Sequence, residues 1–159
     1  MPMPKRILDD LDRKIIVALQ LDARLTTLQL AEKVGLSASP CARRVRLLEA
    51  AGVITGYVAV VDQQEVGLPV SVFASVKLER QREEELDRFA RSVAQWPEVL
   101  DCYLMTGARD FLMRIVVRDL ESYERFLKEK LTRLEGVASI ESSFALGHVK
   151  RSNMLPIWG

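Results

Sequence analysis

The stretch from Thr26 to Gly52, TTLQLAEKVGLSASPCARRVRLLEAAG, decides the fold of the N-terminal third. Thr26 followed by Gln29 has the spacing of a capping box, in which a hydroxyl takes one free helical N–H and the glutamine side chain returns to the cap's own backbone. Leu30, Ala31 and Val34 then share one helical face, and Gly35 ends the helix because glycine enters the left-handed conformation at little cost. Ser37 is placed to cap the next helix, and Pro40 is tolerated in its first turn, where no intrahelical N–H is required. That helix is expected to run from Ser37 to Ala51 and to stop at Gly52. On a wheel of about 100° per residue, Cys41, Val45 and Leu48 form the inner face. Ser39, Arg43, Arg46 and Ala50 point away, and Arg44 flanks the core.

Upstream, Leu11, Ile15, Ile16 and Leu19 recur at helical spacing between Asp10 and Leu21. Asp9, Asp10 and Asp12 lie at the end where the helix dipole favours negative charge. Three helices joined this way read as a helix-turn-helix whose third helix enters a major groove. Arginine donates two bonds to guanine there, and serines near the helix start reach phosphates or base edges. The expected DNA contacts are Ser37, Ser39, Arg43, Arg44 and Arg46; Arg43 and Arg46 rank above Arg44, whose alternative roles are to brace the domain or reach a phosphate. The bland alternative, a solvated arginine face, is weaker because the R-R-x-R cluster sits on the last helix of such a triplet.

Charge distribution agrees. The whole chain of 159 residues carries +1, but residues 1–56 hold nine Lys/Arg against six Asp/Glu, and residues 57–159 hold fourteen against sixteen. The basic excess lies in the segment that would meet phosphate.

Downstream, Val53 to Val61 (VITGYVAVV) reads as a strand, a turn at Gly56 and a second strand, and residues 63–69 as a turn-rich connection. The period then changes. Val70 to Leu78 alternates as a strand. Gln81 to Trp96 has a helical stripe of Leu86, Phe89, Ala90 and Val93, closed by Pro97. Strands are expected at Val99–Met105 and Phe111–Val117 around a turn at Gly107, a helix at Leu120–Leu134, and a last strand at Val137–Leu146. This order, β-α-β-β-α-β, is a ferredoxin-like split unit with two helices on one face of four antiparallel strands. FLMRIVV is apolar on both sides, so a partner subunit is the natural cover for the other face. The fold class is therefore α+β, with a winged helix-turn-helix domain (1–56), a strand and linker (57–69) and a ferredoxin-like domain (70–159).

Composition narrows the function. An apolar fraction of 48% and a charged fraction of 28% are those of an ordinary globular protein. No apolar run approaches the roughly 20 residues of a bilayer span. The start, MPMPKRILDD, lacks a signal sequence pattern, so a cytoplasmic, unprocessed protein is expected. Cys41 and Cys102 are far apart and read as buried thiols. With one histidine, His148, there is no metal-ligand cluster and no nucleophile with a base partner, so neither metal, cofactor nor catalytic residues are expected.

The stretch LDDLDRKIIVALQLDARLTTLQLAEKVGLSASPCARRVRLLEAAGVITGY resembles the DNA-binding domain of the Lrp/AsnC family, the leucine-responsive and feast/famine regulators. YLMTGARDFLMRIVV and SSFALGHVKRSNMLPI resemble segments of its effector-binding domain, and the likeness covers essentially the whole chain. The S-x-S-P-C-x-x-R-V-R-x-L-E segment is more diagnostic than a generic helix-turn-helix. The resemblance implies a sequence-specific transcriptional regulator binding double-stranded DNA, with a small effector, usually an amino acid, between paired sensor domains. It also implies a homodimer assembling to a tetramer or octamer.

The family motif G-x-x-D-[YF]-L is matched by Gly107, Asp110, Phe111 and Leu112. Its chemistry is apt, since a glycine turn exposes backbone N–H groups to a carboxylate and an aspartate accepts from an ammonium. By the same resemblance Met105 and Thr106 line one wall, and Ser142 and Ser143 supply hydroxyls. The chain departs from the pattern at Ala108 and Arg109, where the family often has an acidic or polar residue after the glycine. Two other readings are an effector-independent architectural protein that wraps DNA, and a haem-pathway decarboxylase of related domain order.

Overall fold

A computed structural model describes residues 7–158; the reading of the chain's first six residues lies outside them. The chain divides into two compact units, one of residues up to Ala59 together with those from Lys150 onward, the other from Val60 to Val149.

The first unit is built on three helices: α1 (Asp10–Leu21), α2 (Thr27–Val34) and α3 (Ala38–Ala50). The expected stop and start signals operate. Asp9 caps α1 by accepting from the Asp12 N–H at 2.8 Å. Thr26 and Gln29 close the capping box of α2 in both directions. Gly35, at φ 74°, gives α2 its left-handed end. Ser37 occupies the cap position of α3, but its hydroxyl makes no capping bond. The core is Ile15, Ile16, Leu30, Ala31, Val34, Cys41 and Leu48, the faces that helical spacing assigned.

After α3 no strand forms between Val53 and Val61. This corrects the expected strand pair. Sequence alternation needs a partner ladder to become a strand, and Val58 and Val60 stand 85% and 72% exposed without one. Tyr57 instead returns to α3, donating its hydroxyl to Glu49 Oε1 at 2.9 Å. Burial, and then that carboxylate, push the phenol up to about 12.

The second unit contains β1 (Val70–Leu78), α4 (Glu83–Val93), β2 (Val99–Leu104), β3 (Phe111–Val117), α5 (Leu120–Glu129) and β4 (Val137–Phe144). The sheet order is β2-β3-β1-β4, all neighbours antiparallel, as a split β-α-β unit requires. Val72, Ala74, Val76, Phe111, Met113 and Ile115 pack beneath Phe89, Val93, Tyr123 and Phe126 of the helices. Phe89 and Phe111 stack at 4.3 Å, and Trp96 meets Phe126 edge-on at 5.4 Å. Boundaries differ in places. The helix expected to reach Leu134 breaks at Lys130, then continues as a 3-10 turn that sinks Leu131 completely. Cys102, expected to be buried, is exposed on edge strand β2.

The helix-free face of the sheet carries Phe73 and Ser75 on β1, Leu112, Arg114 and Val116 on β3, Asp101 and Tyr103 on β2, and Glu141 and Ser143 on β4. The loop of residues 62–68 ties down one corner, where Gln63 donates to Ser71 Oγ at 3.0 Å and both Ser71 and Val116 are buried. Elsewhere that face stays open, with Phe73 and Tyr103 exposed.

Candidate functional site

On α3 the five expected DNA contacts divide by geometry. Ser37, Ser39, Arg43 and Arg46 are exposed, and neither Arg43 nor Arg46 makes an ion pair among the described residues. Arg44 behaves differently. Its guanidinium nitrogen Nη1 donates to Asp9 Oδ2 at 2.7 Å and to Asp12 Oδ1 at 2.8 Å. Asp12 is 1% exposed, so this is a charge-assisted tie from α3 into the base of α1. The Asp12 N–H first, and Arg44 second, hold the Asp9 carboxyl below its ordinary value. Arg44 is thus a strut between helices, and Ser39, Arg43 and Arg46 remain exposed on α3, with Ser37 at the helix entry.

In the second unit the structure brings Met105, Thr106 and Gly107 together in one exposed loop between β2 and β3. Gly107 sits at φ 108°, which a side chain would strain. Asp110 anchors the loop from inside. It is 5% exposed; its Oδ2 accepts from the Leu78 N–H at 2.7 Å and its Oδ1 from Gln81 Nε2 at 2.6 Å. Its backbone N–H donates to the Val76 carbonyl at 2.9 Å, and its carbonyl accepts from the Met105 N–H at 2.8 Å. Both carboxylate oxygens are therefore engaged at the end of β1, roughly thirty residues earlier in the chain, which no local reading of the motif reveals.

Ser142 and Ser143 are separated by strand alternation. Ser142 lies opposite buried Ala74 on the helix side and shares a 2.5 Å hydrogen bond with the Tyr123 hydroxyl. Ser143 lies opposite Phe73 on the other face. The two hydroxyls do not line one side of the sheet.

Arg109, left out of the expected site residues, is the side chain that ties this loop to the last strand. Its guanidinium reaches across to β4, donating to Ser139 Oγ at 3.0 Å and Glu141 Oε2 at 2.6 Å. The signal was present as the departure from the family motif. The opposite-charge pair Arg109–Glu141 is half-exposed. No group of three or more metal-ligating side chains occurs among the described residues.

Comparison with known proteins gives this arrangement its setting. Residues 8–55 match the family model of a winged helix-turn-helix DNA-binding domain, and residues 71–155 that of the Lrp/AsnC ligand-binding domain. The chain belongs to the Lrp/AsnC family. It is 45% identical over 150 residues to the Bkd operon transcriptional regulator of Pseudomonas aeruginosa, covering 94% of this chain and 98% of the relative. It is 41% identical to a leucine-responsive regulatory protein of Rhizobium meliloti, covering 90% and 92%. Among solved structures, a Neisseria meningitidis transcriptional regulator in complex with L-methionine superposes with a TM-score of 0.90 at 38% identity, covering 94% of this chain and 97% of that one. The Lrp/AsnC chain is a DNA-binding transcriptional regulator with a ligand-binding domain, not an enzyme, which sets aside the decarboxylase reading. Among the described residues no helix is long and apolar enough to cross a membrane.

Proposed function

We propose that this cytoplasmic regulator reads duplex DNA through Ser39, Arg43 and Arg46, with Ser37 at a phosphate and Arg44 holding the reading helix in place. The observation that carries this reading is the contrast on α3. Arg43 and Arg46 are exposed and unpaired among the described residues, whereas Arg44 is committed to Asp9 and Asp12. Guanidinium groups that face solvent without an internal acid are available to guanine edges and phosphates. The effector is an α-amino acid held at the Met105–Gly107 loop of paired sensor units, and it shifts a homo-oligomeric equilibrium. This part is supported by the L-methionine complex of the Neisseria relative. It is also supported by Arg109 and Glu141, a cation and an anion 2.6 Å apart that match a zwitterion's carboxylate and ammonium. Asp110, with both oxygens occupied by Leu78 and Gln81, shapes the loop rather than meeting the ligand.

The test is calorimetric titration of the full chain with L-methionine and then the other amino acids, beside sedimentation with and without each. Saturable binding by at least one of them, with a change in sedimentation, is expected. No binding by any of the twenty would remove the amino-acid assignment. For DNA, affinity for a duplex selected in vitro with the intact protein should exceed that for a scrambled duplex at physiological salt. Equal affinities would favour the architectural wrapping reading.

A further inference from the structure

Residues 150–158 form no helix or strand, yet they belong with the DNA-binding helices and not with the sensor sheet from which they emerge. Two built contacts hold them. The Gln20 carboxamide on α1 reads both backbone groups of Leu155, with Nε2 donating to the Leu155 carbonyl at 3.1 Å and Oε1 accepting from the Leu155 N–H at 2.6 Å. This is what a neighbouring strand would do for that residue, supplied instead by a side chain. Two residues on, Ile157 is partly buried and packs against the helical core. It also lines an open cavity of about 630 Å³ together with Val17, Leu21, Leu25 and Val34. Leu155 and Trp158 point their side chains to solvent, so the register is set by one apolar anchor and one backbone clamp.

We infer that the C-terminal segment is a strap that completes the DNA-binding unit, clamping α1 at Gln20 while tethered through residues 145–149 to the end of β4. Two features give it a regulatory character. First, its anchoring is modest: one isoleucine and two hydrogen bonds offset the entropy of ordering an irregular segment, so docked and released states lie close in free energy. Second, α1 is the helix to which α3 is pinned, through Asp9 and Asp12 to Arg44. A strap that grips α1 therefore acts on the frame carrying the reading face. Residues 145–149 join it to β4, so the covalent chain links the sensor's edge strand to the segment that grips α1.

Hydrogen exchange on the full-length protein tests this first. In the intact chain the Leu155 amide should exchange well below the unstructured-peptide rate; exchange at that rate would overturn the strap outright. Gln20→Ala and Ile157→Ser should each speed exchange of the segment about tenfold and loosen the C-terminal half of α1, while Ile157→Val should stay close to the parent. Truncation after Asn153 should weaken binding of the in vitro-selected duplex about tenfold, as expected when the competent frame becomes a minor population. Truncation that leaves both α1 exchange and DNA affinity unchanged would contradict the inference, even if the amino-acid site proves correct.

Discussion

Two of the arginine-bearing surfaces among the described residues handle their charge in opposite ways. On α3, Arg43 and Arg46 are left without internal partners among the described residues, and the one arginine that is paired, Arg44, is turned inward to α1. On the open face of the sensor sheet both arginines are answered in place, Arg109 by Glu141 at 2.6 Å and Arg114 by Asp101 at 2.8 Å. An uncompensated cationic face suits a polyanion, whose counterions it displaces. A face of matched pairs suits a ligand with no net charge, or a second copy bearing the same pairs. The difference separates what the units recognise before any ligand is seen.

The comparison can be broken most forcefully at its internal ties. Asp110→Ala strands the Leu78 N–H and the Gln81 amide inside the sensor unit and should cost about 2–4 kcal/mol, read by urea unfolding followed through Trp96. A loss under 1 kcal/mol would show that the loop is not anchored there. Arg44→Ala removes two charge-assisted bonds and should destabilise the DNA-binding unit by about 1.5–3 kcal/mol. At the exposed pair the balance reverses. Arg109→Ala should change stability by under about 1 kcal/mol, as for other solvent-screened pairs, yet weaken amino-acid binding by calorimetry. Unaltered affinity would return Arg109 to a purely structural role. The smallest effect concerns pH. Asp9 has a lowered carboxyl, so its contribution is present above the ordinary 3.8 and is lost as pH falls through the lower folded value. Asp9→Asn should therefore flatten the acid limb of stability for the DNA-binding unit, measured by circular dichroism between pH 5 and about 2.

The units also differ in how much of them the chain declares locally. In the helical unit the buried set, the capping box and the glycine stop all follow from neighbours within four residues, so Cys41, Leu48 and the outward Arg43 and Arg46 were readable. What escaped was contact at distance: the identity of Asp9 and Asp12 as the acids Arg44 braces against, and Ile157 joining the core from the far end of the chain. In the sensor unit, strand order and alternation were legible, but site chemistry depends on register. Asp110 is occupied by groups on β1 and beyond, and Ser142 and Ser143 are divided by a pleat. The strands expected at Val53–Val61 show the converse limit, since a pattern suited to pairing does not supply a pair.

The central claim is that α3 separates reading arginines from a bracing one, and one paired measurement tests it. Duplex affinity and thermal midpoint should be determined for Arg46→Ala and Arg44→Ala in the full chain. The account predicts that Arg46→Ala loses about 1–3 kcal/mol of DNA binding with an unchanged midpoint, while Arg44→Ala lowers the midpoint. An Arg46→Ala protein that binds the duplex as tightly as the parent, or that loses stability as Arg44→Ala does, would contradict it.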